Sequence, residues 1–216
     1  MDSQTFSAKV HHFSSQSEDL LNDTLVGRTE LSDFLISKDR NRATFNLTKS
    51  LEIEQSGSDR LSLRCEYRLC TSSDGTQIAI ETSSYKVQFK ALQKFVPIVR
   101  FEYERDARNK PSSHFQFHSD SVPLGLLLAR AGKYDAAAHQ QDVHFPMGHR
   151  RFRVSLEDVI ELLVKEFGAK PRDGWQRHLD ESRDKFYELQ ASSVIRDNIP
   201  TAISVLEDLG YTVSSP

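Results

Sequence analysis

The chain of 216 residues holds two cysteines, one tryptophan, two methionines, nine glycines and no strong excess of either charge. Each shortage excludes something. Cys65 and Cys70 lie an odd number of positions apart in a strand-like run, which turns them to opposite faces, so they cannot easily bridge each other and no disulfide scaffold is expected. Such sparse cysteine fits a reducing compartment. Lys plus Arg number 28 against 31 Asp plus Glu, a net charge of -3 that gives no global field for nucleic acid or an anionic membrane. Any polyanion site must therefore be local. No run approaches the ~20 apolar residues of a membrane span, and the first ten residues lack a cationic stretch leading into an apolar one. These absences predict a cytoplasmic protein without membrane attachment. The glycines are scattered singly, so phosphate-cradling loops are missing. There is no Gly-x-Ser-x-Gly elbow and no cysteine at a helix start, which leaves Ser, Thr and Cys nucleophiles without support.

What is present is an ordinary globular composition, 38% hydrophobic and 27% charged, in a chain long enough for a sizeable core. Leu20, Leu21, Thr24 and Leu25, then Leu31, Phe34 and Leu35, recur at helical spacing around Gly27, which predicts two short N-terminal helices. Residues 44–54 and 61–70 flank a Ser-Gly-Ser-Asp turn at 56–59. Leu61, Leu63, Cys65, Tyr67 and Leu69 alternate with Ser62, Arg64, Glu66 and Arg68, the pattern of a half-buried hairpin. Asp74 and Gly75 supply turn chemistry, and alternation through Tyr85, Val87 and Phe89, then Val99, Phe101 and Tyr103, then 113–118, extends an antiparallel meander. Residues 122–141 read as a surface loop or lid, and 143–145 and 150–154 as two short strands. Ser155, followed by Glu157 and Asp158 and closed by Gly168, opens the clearest helix. A second helix starts near Asp173, and a third is capped by Asn198, carries Pro200 in its first turn and stops at Gly210. The order of elements predicts an α+β fold: a mostly antiparallel sheet of roughly five to seven strands, N-terminal helices, and a C-terminal three-helix segment. Residues 1–154 and 155–216 are expected to pack as parts of one domain.

Five of the eight histidines fall between 114 and 149. His114 and His118 would share a metal ion on a helix, but the alternation His-Phe-Gln-Phe-His reads as a strand, which separates them by about 13 Å. No metal or other cofactor is expected. That alternation puts His114, Gln116 and His118 on one face. Arg105 and Arg108 in the preceding turn and Arg151 and Arg153 in a later run, with His144 and His149 nearby, would complete a basic, imidazole-bearing groove. Such a groove suits metal-free phosphodiester chemistry: a neutral imidazole takes a 2′-hydroxyl proton, a protonated one gives a proton to the leaving oxygen, and arginine stabilises the phosphorane. The catalytic candidates are His114, His118 and His144; the ligand-binding candidates are Arg105, Arg108, Gln116, His149, Arg151 and Arg153. Taken singly, each also fits an ordinary surface residue or cross-strand pair.

The run RDARNKPSSHFQFH at 105–118, followed by the Ser155-capped apolar helix, resembles the Arg-x-Asp-Asn, Pro-His-His and closing His-x-His pattern of small TumE-like toxins of toxin–antitoxin modules. The resemblance implies a growth-inhibiting or defence-related protein held by a partner antitoxin, with His114 and His118 at the positions of the family's histidines. Two functions are therefore carried forward. One is a protein acting on RNA or a nucleotide, as a metal-independent ribonuclease, through the His114/His118 face. The other is a non-enzymatic protein-interaction module. Incomplete burial of Leu20, Leu25, Leu31 and Phe34 by the sheet, or exposed leucines within 122–141, would favour the second. A homodimer through the N-terminal helices is compatible with either.

Overall fold

The computed structural model describes residues 1–37, 41–54, 60–148 and 152–214. The fold is α+β. Helix α1 spans Ser3–Thr24, capped by Asp2, whose carboxylate accepts from the Gln4 and Thr5 amides at 2.9 Å each. Its buried stripe is Phe6, Val10, Ser14, Ser17, Leu20, Leu21 and Thr24. The hydroxyls in that stripe are satisfied within the helix: Ser14 donates to the His11 carbonyl, Ser17 to that of Phe13 and Thr24 to that of Leu20. They therefore cost little to bury.

One long helix thus replaces the first expected short one, and the second is a strand. Strand β1 covers Thr29–Ser37, and its pairing shifts register between Ser32 and Leu35, where Asp33 has φ 51°. The bulge inserts residues into the alternation, so that the apolar positions fall at helix-like intervals. Strands β2 (Arg42–Leu51), β3 (Leu61–Thr71), β4 (Ile78–Ala91), β5 (Lys94–Glu104), β6 (Ser113–Phe117) and β7 (Phe145–Pro146) follow, and all seven pair antiparallel in sequence order. Between β6 and β7 the expected loop is instead helix α2 (Val122–Arg130), helix α3 (Tyr134–Ala138) and a 3-10 turn. Buried Gln140 stitches them together by accepting from the Ser121 amide at 2.8 Å. It approaches Gly125 so closely that a Cβ there would lie 2.9 Å from its Nε2, which is why a glycine sits inside α2. The described residues 152–154 form no strand.

Helix α4 (Leu156–Lys165) opens on a full capping box. The Ser155 hydroxyl accepts from the Asp158 amide at 3.2 Å, and the Asp158 carboxylate accepts from the Ser155 amide at 3.0 Å. Helix α5 (Trp175–Asp197) and helix α6 (Ile199–Asp208) complete the C-terminal three-helix segment. Helices α1 and α4 cover one sheet face, enclosing Phe45, Leu47, Leu63, Tyr67, Val87, Val159, Ile160 and Leu163. Trp175 packs against that core as a helix anchor. Cys65 is buried there, and both cysteines are free. Among the described residues, no helix is long and apolar enough to cross a membrane.

Candidate functional site

The sheet face away from α1 is polar, and its register arranges side chains in rows. One row runs Asn46, Glu66, Ser84, Glu102 and His114 across five strands; its neighbour runs Thr48, Arg64, Lys86, Arg100 and Gln116. Acidic and basic rows thus lie side by side. Ion pairs bridge them, from Arg64 to Glu66 at 2.7 Å and from Arg100 to Glu102 at 3.3 Å. A shallow depression of about 350 Å³ lies over this face, lined by Asn46, Glu66, Arg68, Glu102, Glu104 and Lys110 among others. The face is mixed in charge, where a basic groove was expected.

His114 sits at the edge of this face with 0% exposure. Its Nδ1 lies 2.9 Å from the Pro111 carbonyl and its Nε2 lies 3.0 Å from the Glu102 carboxylate. Both partners accept, so both hydrogen bonds form at once only when both ring nitrogens carry hydrogen. The His114 hydrogen bond, with Arg100 and Lys110 adding to it, holds the Glu102 carboxyl at about 2 against the desolvation that raises it. The result is a charge-assisted pair between an enclosed His114 and a half-buried Glu102. The His144 ring stands edge-on to His114 at 4.6 Å between centroids, and its Nε2 is 3.3 Å from the Gln116 amide nitrogen. Gln116 donates there, which requires a lone pair on that nitrogen, while its Oε1 accepts from the Arg100 guanidinium. Burial first, and then the charge of His114, push the His144 imidazole below its usual range. The two rings are therefore held side by side by a chain running Glu102, His114, His144, Gln116 and Arg100.

His114, His144 and Gln116 meet in this way. His118 lies one residue past β6, with its Nε2 buried and lacking a hydrogen-bond partner among the described residues. Burial, Arg100 and Lys86 lower its proton affinity. Arg105 turns toward β3, its Nη1 3.8 Å from the Cys70 sulfur. Arg108 is exposed in the turn before β6. Arg153 lies on the helix side of the sheet, its guanidinium 5.5 Å from the Tyr103 ring and 5.3 Å from that of Phe186, and does not join the histidines. His149 and Arg151 lie outside the described residues. Sequence reasoning did not single out Glu102 or the Pro111 carbonyl as the two partners of His114. Counting outward from the 105–112 turn would have set Glu102 opposite His114. No three His, Cys, Asp or Glu side chains among the described residues gather as metal ligands.

Compared with family models, characterised proteins and solved structures, the chain matches none.

Proposed function

We propose that the chain is a non-enzymatic protein-interaction module, docking a partner through the apolar stripe of α2. One observation carries this reading: α2 buries none of its nine residues, and Val122, Leu126 and Leu127, spaced along one side of it, are 76%, 56% and 64% exposed. A helix whose apolar stripe stays in water is a surface awaiting cover. The histidine cluster fits the same reading. His114 is wholly enclosed with both ring nitrogens in hydrogen bonds, and the His144 Nε2 is occupied by Gln116, which fits a pair that braces β5 and β6.

The test is affinity purification of the wild-type chain and the double variant Leu126→Glu/Leu127→Glu, side by side, from cells that naturally express it. Both should be folded by circular dichroism, because the substituted side chains are exposed. A stoichiometric protein held by wild type and lost from the variant is the expected result. The same proteins at the same yield on both would refute it.

A second reading has its own observation in the unpartnered His118 Nε2 beside Lys86 and Arg100. This favours a small anionic ligand such as a nucleotide or an RNA end, the substrate class of a toxin-like ribonuclease with His114, His118 and His144 as its histidines. A histidine NMR titration with a mononucleotide and a short RNA tests it. Saturable shifts at His118 and His144, absent in His118→Ala, would support it; unresponsive histidines would end it.

A further inference from the structure

Helix α5 starts beside the end of α1, where the Arg172 amide donates to the Thr24 carbonyl at 2.9 Å, and runs back along α1. The start of α1 sits at the β3–β4 turn, where the Lys9 ammonium donates to the Thr76 carbonyl at 3.0 Å, so the far end of α5 comes to the same turn. Helix α6 therefore lies at the end of the molecule that carries that turn. It buries no residue, and Val205, Leu206, Leu209 and Tyr211 are exposed. From Asp197 onward this arm holds Asp197, Glu207 and Asp208 and not one Lys or Arg.

The opposite end of β4 is the β4–β5 hairpin tip, with Ala91 paired to Lys94 around Leu92 and Gln93. Leu92 is 96% exposed and has φ 55°, a conformation that hairpin loops normally give to glycine or asparagine. A leucine held there at a backbone cost, with no contact of its own to repay it, points outward to a partner. Phe95 and Val96 beside it are exposed, and residues 86–96 hold Lys86, Lys90 and Lys94 with no acidic residue.

Each chain thus carries an apolar acidic arm and an apolar basic knob at opposite ends, separated by the 14 residues of β4, about 45 Å of strand. The ten residues of α6 span only about 15 Å, so the arm does not reach its own knob. We propose that the chain forms a closed two-fold dimer in which the Leu92 knob of each copy seats against the α6 arm of the other. The two-fold axis satisfies both surfaces at once, and Lys90 and Lys94 meet Glu207 and Asp208 twice. This inference is independent of the α2 reading: it uses other residues and another partner, so either can fail alone.

The test is sedimentation equilibrium of the full chain over a concentration series. Wild type should have twice the 24.7 kDa chain mass. Leu92→Gly deletes the knob while relieving the backbone, so it should fold at least as well as wild type and raise the dimer dissociation constant by roughly 30-fold or more, the weight of one central interface side chain. The charge-reversed variants Lys90→Glu/Lys94→Glu and Glu207→Lys/Asp208→Lys should each be monomeric alone, and mixing them should restore a dimer containing one of each. A wild type that stays monomeric throughout would overturn the proposal. So would a dimer untouched by Leu92→Gly, a mixture of the charge variants that stays monomeric, or growth into open higher oligomers.

Discussion

Replacing Glu102 with glutamine keeps the shape of the side chain facing His114 but removes its charge, and the structure sets the size of the consequence. Glu102 is held at about 2 against an ordinary 4.5, with its side chain 19% exposed. At about 1.4 kcal/mol per unit, the folded state gains about 3 kcal/mol from keeping the carboxylate charged. That agrees in size with the ~3–5 kcal/mol lost when one partner of a buried ion pair is removed. The sign follows from linkage: the folded value lies below the unfolded one, so this stability is complete above about pH 4.5 and disappears as pH falls toward 2. Urea unfolding of wild type and Glu102→Gln between pH 2.5 and 7 reads both features. At pH 7 the variant should be less stable by about 3 kcal/mol, a melting temperature lower by roughly 6–12 °C for a chain of this size. The gap should close as pH falls through 4.5. Asp2 and Asp74 also sit near 2, so wild type alone would slope in acid for several reasons, and only the difference between the two proteins isolates Glu102. A variant within 0.5 kcal/mol of wild type at pH 7 (a gap well under the ~1 kcal/mol of an ordinary hydrogen bond), or a gap that stays constant down to pH 2.5, would refute the buried pair.

Lys49 supplies a prediction at the other end of the pH scale. It has 0% exposure, donates to the Gly27 carbonyl at 2.9 Å and to Asn22 Oδ1 at 3.0 Å, and burial, with Arg172 adding to it, lowers it from 10.5 to about 8. Its folded value lies below its unfolded one, so the stability of wild type relative to Lys49→Met should rise by up to about 3 kcal/mol between pH 8 and 10.5, read by urea midpoints. Buried Cys65, Tyr67 and Tyr85, all raised by desolvation, act in the opposite direction at alkaline pH in both proteins and cancel in the comparison. A flat difference would refute it. Ser155→Ala removes the hydroxyl that accepts from the Asp158 amide and should destabilise by about 1 kcal/mol in urea unfolding. A loss within ~0.3 kcal/mol, the scale of a cap exchanged for glycine, would show that the cap is dispensable.

The antiparallel meander was legible because its strands keep strict alternation where one face is buried: Leu61 to Leu69 on β3 and Val99 to Tyr103 on β5 read correctly at sight. The N-terminal region misled for two separate physical reasons. Ser14, Ser17 and Thr24 occupy core-facing positions of α1 with their hydroxyls bonded to the preceding turn, so a pattern built on apolar residues misses most of the helix. In β1 the bulge at Asp33 breaks the period of two, and a bulged strand then imitates a helix. Lys49 was legible and overlooked: it stands in phase with Ala43, Phe45, Leu47 and Leu51, so alternation alone predicts a buried lysine.

The histidine cluster was legible only halfway. Alternation placed His114 and Gln116 on one face, but the character of that face is decided by what lies across the register. Glu102 opposite His114, rather than a second cation, turns an expected acid–base groove into a closed ion pair. Arg153 was assigned by extending a strand through 150–154; without that strand, its guanidinium takes the aromatic surface of Tyr103 and Phe186 on the other side of the sheet. The stripes of α2 and α6 mark a further boundary of sequence reading. An amphipathic pattern states that a helix has an apolar side needing cover, but only the packed structure shows whether the chain itself supplies it. For α4 it does, through the core formed with Leu156, Val159, Ile160 and Leu163. For α2 and α6 the described residues supply none, and neither helix buries a residue.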